Sequence, residues 1–468
     1  MNLTLLTDLY QLTMANGYFL SNKHKKMATF DLFFRVNSQF NYAVFAGLEQ
    51  AIDYIQNLKI TNDDIKYLKS LKIFDENFLN YLKDFKFTGD IFSVVEGEVV
   101  FPSEPLLIVR APLIEAQIIE TALLNIIGHQ TLIATKASKI VHAAGEKEVY
   151  EYGVRRAHGS SSGIYGARAA IIGGCKGTSN VLSAKLFDLK AIGTNSHSWV
   201  ASFASELEAF RELARIYPDR CMLLVDTYDT LSSGVPNAIK VFEELREKGH
   251  RPLGIRLDSG DLAYLSKEAR KMLDEKGFQD TIIFASNDLD EEIISQLHMQ
   301  GACIDSYGVG TKLITSYDSP ALGTVYKLSE IDGVPKMKFS DQFFKMTNPG
   351  LKKVVRLYDK DNKKSIADLI MLDNEKLSTP LTLRHETEKW KSVTLDNFTS
   401  RELLIPIFKS GKLVYTVPSV SESAKKLKDE LENFWDEYKR ISKPHIYKVN
   451  VSEGLGGLKQ TLIEKSKS

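Results

Sequence analysis

Cysteine is scarce in this chain: Cys175, Cys221 and Cys303 are the only three, far apart and with no CxxC pair. So small and odd a set excludes a disulfide framework and a cysteine zinc site, and it fits a reducing compartment. Excess charge of either sign is missing as well, with 60 Lys+Arg against 60 Asp+Glu. Nothing global draws the chain to nucleic acid or to an anionic membrane, so any basic function is local. No signal peptide is expected, because "MNLTLLTDLYQLTMANGYF" has no basic segment before an apolar block and Asp8 interrupts it. Long hydrophobic runs are lacking too. The most apolar stretch, "APLIEAQIIETALLNIIGHQTLIATKA", carries Glu115, Gln117, Glu120, Asn125 and His129, which predicts a buried soluble helix rather than a membrane span. These exclusions leave a cytoplasmic globular protein. With 43% hydrophobic residues in 468, it can build a large core and two or three domains.

Three regions follow from the patterning. Residues 1–140 mix signals: "ATFDLFFRVN" alternates as a strand, and "YAVFAGLEQAIDYIQNL" has the period of an amphipathic helix. "GDIFSVVEGEVVFPSEPLLIVRAP" predicts strand, turn at Pro102 and strand, with Pro112 opening a long helix. Over residues 141–320 short β-rich runs alternate with helical patterns, as in "CMLLVD" before "PNAIKVFEELREKG" and "LGIRLD" before "DLAYLSKEARKMLDEKG". Such βα repetition predicts a parallel sheet or barrel. Gly249, Gly277 and Gly301 fall where its helices should end. Residues 321–468 lose the alternation and predict an α+β portion that partly returns to the first region, with one clear helix in "SESAKKLKDELENFWDEYKRI".

In parallel βα folds ligands lie at the carboxyl ends of the strands. Those positions here are consistently polar: Arg155, Arg156 and His158 after "EVYEYG", Thr194 and His197 after "AIG", and Asp226 and Asp229 after "CMLLV". Arg256, Asp258, Ser259 and Asp261 follow "LGI", Ser286, Asn287 and Asp288 follow "TIIFA", and "GVGT" ends at Thr311. A single polar strand end is unremarkable; a consecutive series predicts a polar site. Gly308 and Gly310 let backbone N–H groups converge on an anion, although an ordinary glycine turn reads the same way. Arg256 and Asp258 share one face of an extended segment, either as a structural ion pair or as ligands for an anion and for sugar hydroxyls or Mg²⁺. Asp261 also suits a helix N-cap. Asp226 ends a very apolar strand and needs a partner, and His197 is the nearest candidate for it, as base or nucleophile. A helix is expected to start near Trp199. Tyr152 offers a ring face to a flat ligand.

Nine motifs in order, "TDLYQLTMANGYF", "FPSEPLLIVRAPLIEAQIIETALLNIIGHQTLIATKASKI", "YGVRRAHG", "GTSN", "GTNSHSW", "VDTYDT", "GIRLDSGDL", "SNDLDE" and "YGVGTKL", resemble the nicotinate phosphoribosyltransferase family. "TNPG" at 347–350 also looks family-like. The resemblance implies an irregular α/β barrel of the type II phosphoribosyltransferases, with an N-terminal α/β sandwich and a C-terminal α+β extension. It implies that nicotinate and 5-phosphoribosyl 1-diphosphate give nicotinate mononucleotide and diphosphate in NAD biosynthesis. ATP and Mg²⁺ are the implied cofactors, with His197 as the phosphohistidine and a homodimer sharing its active sites. Carried over motif by motif, Tyr10 (from the partner subunit) and Tyr152 sandwich the pyridine ring. Arg155 pairs with the carboxylate, Thr194 lines that pocket, and Arg256 and Asp258 hold ligand and ribose. Gly308, Gly310 and Thr311 cradle the 5-phosphate, Arg35 takes other phosphates, and Asp226 orients His197. Nicotinamide-using relatives carry an aspartate where this chain has Ser179; a serine can donate to a carboxylate that an aspartate would repel, so the acid is the expected substrate. A barrel aldolase or isomerase is disfavoured because none of the polar strand ends carries an immediate Schiff-base lysine. A non-catalytic nucleotide sensor would have no need of a phosphorylatable histidine.

Overall fold

The computed structural model describes residues 2–35, 41–340, 346–384, 390 and 392–467. The chain divides into two compact units, Met1–Thr135 with Ala321–Ser468, and Lys136–Pro320. The third sequence region therefore packs with the first instead of standing apart.

The first unit is built on a seven-stranded antiparallel sheet. At its centre the strand Met27–Phe34 pairs with Leu107–Pro112 on one side and Thr324–Ile331 on the other, with Leu32 opposite Leu107 and Phe34 opposite Thr324. Strands from both ends of the chain thus share one ladder and one core, which includes Phe30, Leu32, Phe34, Ile108 and Tyr326. The long apolar helix breaks once, into Leu113–Ile118 and Glu120–Ala144. Pro112 sits at its N-cap, its ring presetting the φ with which the chain enters the helix. A four-stranded sheet, Phe398–Glu402, Lys352–Asp359, Ser365–Leu372 and Val449–Val451, completes the unit. The predicted C-terminal helix spans Val420–Glu432, opened by a Ser419–Glu422 capping box, with a separate short turn at Asp436–Lys439.

The second unit is the alternating region. Its five parallel strands lie in the order Glu148–Glu151, Ser306–Val309, Ile282–Ala285, Gly254–Leu257 and Met222–Leu224. Parallel bridges from Glu151 to Thr178 and from Thr178 to Ala191 continue the sheet into a barrel-like core. The strands are three or four residues long, and Tyr150, Met222 and Phe284 pack inside. Helices stop at Gly249, Gly277 and Gly301, all at positive φ (82°, 75° and 69°), the geometry that favours glycine there. Because every strand runs the same way, all their carboxyl ends reach one rim.

Candidate active site

Arg256 organises that rim. Its Nε donates to Ser286 Oγ (2.8 Å), Nη1 to Thr194 Oγ1 (2.9 Å) and Nη2 to Asp258 Oδ1 (2.8 Å). Ser286, itself buried, donates in turn to the same Asp258 oxygen. The guanidinium carbon lies 5.7 Å from the centre of the Tyr152 ring, within reach of a cation–π attraction. Groups from three strand ends are thereby joined by hydrogen bonds, with the Tyr152 ring beside them. Of the two sequence readings of Arg256 and Asp258, the ion pair is present.

His197 stands beside this cluster. It is the first residue of a short helix, His197–Ala201, which ends before a second helix, Glu206–Ile216, capped by Ser205. The single helix expected from near Trp199 is therefore two, because Ser205 offers its hydroxyl to Glu208 N and restarts the ladder. The imidazole is contacted at both nitrogens, by Thr227 Oγ1 at Nδ1 (3.1 Å) and by Asp258 Oδ2 at Nε2 (3.6 Å), and its side chain is 46% exposed. Burial pushes the Asp258 carboxyl up, but Ser286, Arg256 and His197 outweigh burial and leave it below the usual carboxylate range. The site thus presents a fixed negative charge to an accessible imidazole.

The expected pairing of Asp226 with His197 is corrected here. Asp226 Oδ2 accepts from the Asp258 backbone N–H (2.8 Å) and from Ser259 Oγ (2.6 Å), so it grips the loop that carries Asp258. Its Oδ1 is buried without a partner among the described residues. Asp226 thus holds the loop that carries Asp258, and Thr227, one residue on, makes the direct contact with the imidazole. Sequence reasoning missed Thr227; the signal was its place three residues past the apolar strand Met222–Leu224, masked by the carboxylate beside it.

The other expected residues divide. Arg155 lies exposed on the turn Val154–Arg156, just past the strand end, and its side chain, like those of the exposed Arg156 and His158, has no hydrogen bond or ion pair among the described residues. Glu151, buried at that strand end, aims the turn by accepting from the Gly153 N–H, and it holds Thr178 Oγ1 at 2.5 Å. Ser179 is next in line, half-buried, its N–H on the Glu151 carbonyl (2.9 Å). Gly308 is corrected: it lies inside the strand Ser306–Val309, paired with Tyr150, and a Cβ there would come within 2.8 Å of the Phe284 ring and 3.1 Å of Tyr152. Glycine is needed at 308 for ring packing, and only Gly310 and Thr311 lie past the strand end. Lys312 is tied to Asp290 (2.5 Å). Asp229, Asp261 and Asp290 cap helical turns. Asn287 accepts from Asp288 N and holds an unusual φ of 104°. Tyr10 and Arg35 belong to the first unit: the half-exposed Tyr10 donates to Glu120 Oε1 (2.9 Å), and Arg35 follows the strand Met27–Phe34 with its N–H on the Gly323 carbonyl.

A parallel barrel-like core with an Arg–Asp pair, an accessible histidine and an exposed arginine past its strand ends has the polar rim at which enzymes of this architecture bind their ligands. A model described as the Nicotinate phosphoribosyltransferase (NAPRTase) family matches residues 148–369, and models of its N-terminal and C-terminal domains match 5–128 and 351–459. The nicotinate phosphoribosyltransferase of Bacillus subtilis is 48% identical over 474 residues, covering 100% of this chain and 96% of its own. That of Caenorhabditis elegans is 36% identical, covering 98% of this chain and 93% of its own. The crystal structure of human nicotinic acid phosphoribosyltransferase superposes with a TM-score of 0.87 at 29% identity, over 97% of this chain and 99% of that one. The chain belongs to the nicotinate phosphoribosyltransferase family.

Proposed function

We propose that this chain joins nicotinate to 5-phosphoribosyl 1-diphosphate, releasing nicotinate mononucleotide and diphosphate, and that it couples this step to ATP through phosphorylation of His197. The nicotinate ring nitrogen forms a bond to ribose C1 as the C1–oxygen bond to diphosphate breaks, the bonding pair leaving with diphosphate. No proton moves in that step, so positioning and electrostatics carry it. Arg155, free at the rim, pairs with the nicotinate carboxylate while Tyr152 offers its ring face. Ser179 donates where an acidic side chain would repel the ligand. Gly310 and Thr311 take the 5-phosphate, and Asp258 and Arg256 hold ribose and charge. Tyr10 completes the ring sandwich from a second copy of the chain, and Arg35 takes further phosphate oxygens. The helix Leu9–Leu20 leaves Leu9, Tyr10 and Met14 exposed, as a shared face in a homodimer requires.

In the coupling step a ring nitrogen of His197 attacks the γ-phosphorus of ATP, the bond to the β-phosphate oxygen breaks, and ADP leaves. The observation that carries this reading is the accessible imidazole held at both nitrogens, by Thr227 and Asp258. Asp258 offsets the positive charge that the ring gains on bonding phosphorus. No group of three or more His, Cys, Asp or Glu side chains forms a metal cage among the described residues. A magnesium ion arriving on substrate phosphates would find in Asp226, whose Oδ1 has no hydrogen-bond partner among the described residues, the carboxylate to hold it. Held there, such an ion would supply charge neutralisation for the leaving diphosphate. No helix among the described residues is long and apolar enough to cross a membrane, and the three cysteines are unpaired, as a reducing cytoplasm favours.

The test follows diphosphate release from nicotinate, 5-phosphoribosyl 1-diphosphate and Mg²⁺, with and without ATP, and repeats it with nicotinamide. Release with nicotinate, accelerated by ATP, supports the proposal. An amide preference sinks the substrate reading, and indifference to ATP sinks the coupling.

A further inference from the structure

We propose that the turn Thr230–Gly234 is the device that holds the imidazole contacts in place, with Gly234 and Ser233 as positioning residues for phosphoryl transfer at His197. This rests on the reading of His197 given above. Both contacts of the imidazole descend from the two residues that follow Val225. Thr227 touches Nδ1 directly, and Asp226 grips the backbone of Asp258, whose carboxylate faces Nε2. Whatever sets the Val225 peptide therefore sets both.

Gly234 sets it. A Cβ on Gly234 would lie 1.8 Å from the Val225 carbonyl oxygen, 2.7 Å from its carbon and 3.0 Å from its Cα. The turn rests backbone to backbone on the last step of the strand. Gly234 has φ −58° and ψ −57°, a conformation open to any residue, so the contact alone demands glycine. The turn is wound wide, with the Gly234 N–H reaching back five residues to the Asp229 carbonyl (2.8 Å). Pro236 lacks the N–H that would carry the following helix back over Ser232. Wide turns of this kind recur at functional sites.

The turn is fastened from behind. Asp229 Oδ1 accepts from Ser232 N (2.7 Å) and Oγ (2.6 Å). Ser233 Oγ (2.6 Å) and Asn237 Nδ2 (2.9 Å) both donate to Glu206 Oε2, a carboxylate buried at the start of the helix Glu206–Ile216. The helix of His197 is pinned to that same element, because Trp199 Nε1 donates to the Ala209 carbonyl (3.1 Å). One helix thus anchors both the histidine and the turn that presents its partner. Ser233, Gly234 and Glu206 make no hydrogen bond to His197, Arg256 or Asp258 among the described residues, so their effect is through geometry alone.

The experiment uses the full chain with Gly234→Ala and Ser233→Ala. Three quantities are read: the rate of radiolabelled phosphate transfer from ATP to His197, KM for nicotinate, and the His197 ring resonances in histidine-labelled protein, assigned with His197→Ala. A displacement of about 1 Å at such a contact costs on the order of 10²-fold. Gly234→Ala is expected to slow phosphoryl transfer at least tenfold, to shift the His197 resonances, and to leave KM for nicotinate within about twofold. Ser233→Ala removes one bond without adding volume and is expected to slow transfer by a few-fold. A folded Gly234→Ala protein with the wild-type transfer rate and unmoved resonances overturns the proposal. If Gly234→Ala does not fold, Ser233→Ala decides, and a wild-type rate with unmoved resonances overturns it. If the wild-type enzyme takes no phosphate on His197, the coupling reading fails by itself. The resonances then still judge the positioning: a shift in either variant supports it and no shift refutes it.

Discussion

Arg356 in the first unit and Arg256 in the second each pair with an aspartate, yet their surroundings differ. Arg356 is fully buried and makes four hydrogen bonds, two to Asp368, one to Glu98 and one to the Val99 carbonyl. Phe101 and Phe434 pack 5.6 and 5.0 Å from its guanidinium carbon, and Arg401 and Lys426 close the circuit on Glu98. Burial pushes the Glu98 carboxyl up, but Arg356, Lys426 and Arg401 outweigh it and bring it down to about 2. Arg356, Asp368 and Glu98 are shut away from water, and each has an oppositely charged partner. Arg256 makes three hydrogen bonds, and the Asp258 it pairs with faces a half-exposed histidine, while Asp226 beneath the same loop keeps a carboxylate oxygen with no partner among the described residues. A closed ion cluster spends its polarity on joining segments, here Glu98 to Arg356 across 258 residues. An open one keeps donors and acceptors for a ligand. Completeness of pairing, rather than the presence of charge, separates the structural pair from the functional one.

Removing the histidine from the open cluster should have the largest effect on activity. His197→Ala should abolish the ATP-dependent gain in diphosphate release while leaving the melting temperature near that of the wild type; a variant that ATP still accelerates refutes its role. Arg356→Met should do the reverse. It strands Asp368 and Glu98 in the interior, which costs about 3–5 kcal/mol and should appear as an early melting transition. Ser179→Asp sharpens the substrate side: kcat/KM for nicotinate should fall by roughly 10-fold or more through like-charge repulsion, with little change in stability. Steady-state kinetics against acid and amide decide it.

The smallest effect concerns a neighbour of the closed cluster. Burial, and after it the Asp368 carboxylate, push Glu104 well above the usual range, so it stays protonated in the fold. The unfolded chain ionises this group above its ordinary value of 4.5. Folding therefore takes up a proton at higher pH, and stability falls as pH rises. Glu104→Gln should melt slightly above the wild type near pH 7, with the gap closing toward pH 4; a gap constant with pH contradicts the assignment. Glu98 has the opposite sign. Its contribution is present above its ordinary value of 4.5 and lost as pH falls toward about 2.

Much of this architecture was legible in the chain. The βα rhythm of "CMLLVD", "LGIRLD" and "TIIFAS" marks the parallel strands, and the polar residues just past them mark the rim. Hydrophobic period and helix-ending glycines are local properties, and local backbone preferences act on them directly. Partnership at the rim was not local. By position Asp226 was the partner expected for His197, and nothing local pointed to Thr227 or Asp258. Only the closure of the strand ends, with Asp226 turned to the Asp258 backbone, gives the imidazole to Thr227 and Asp258. Gly308 read as a phosphate glycine until the Tyr152 and Phe284 rings filled the space above it. Covalent order dictates which side chains arrive at the rim, since each strand delivers its own terminal residues there. Which of them touch depends on packing distances of a few ångströms between segments far apart in the chain, and no spacing within one segment encodes those.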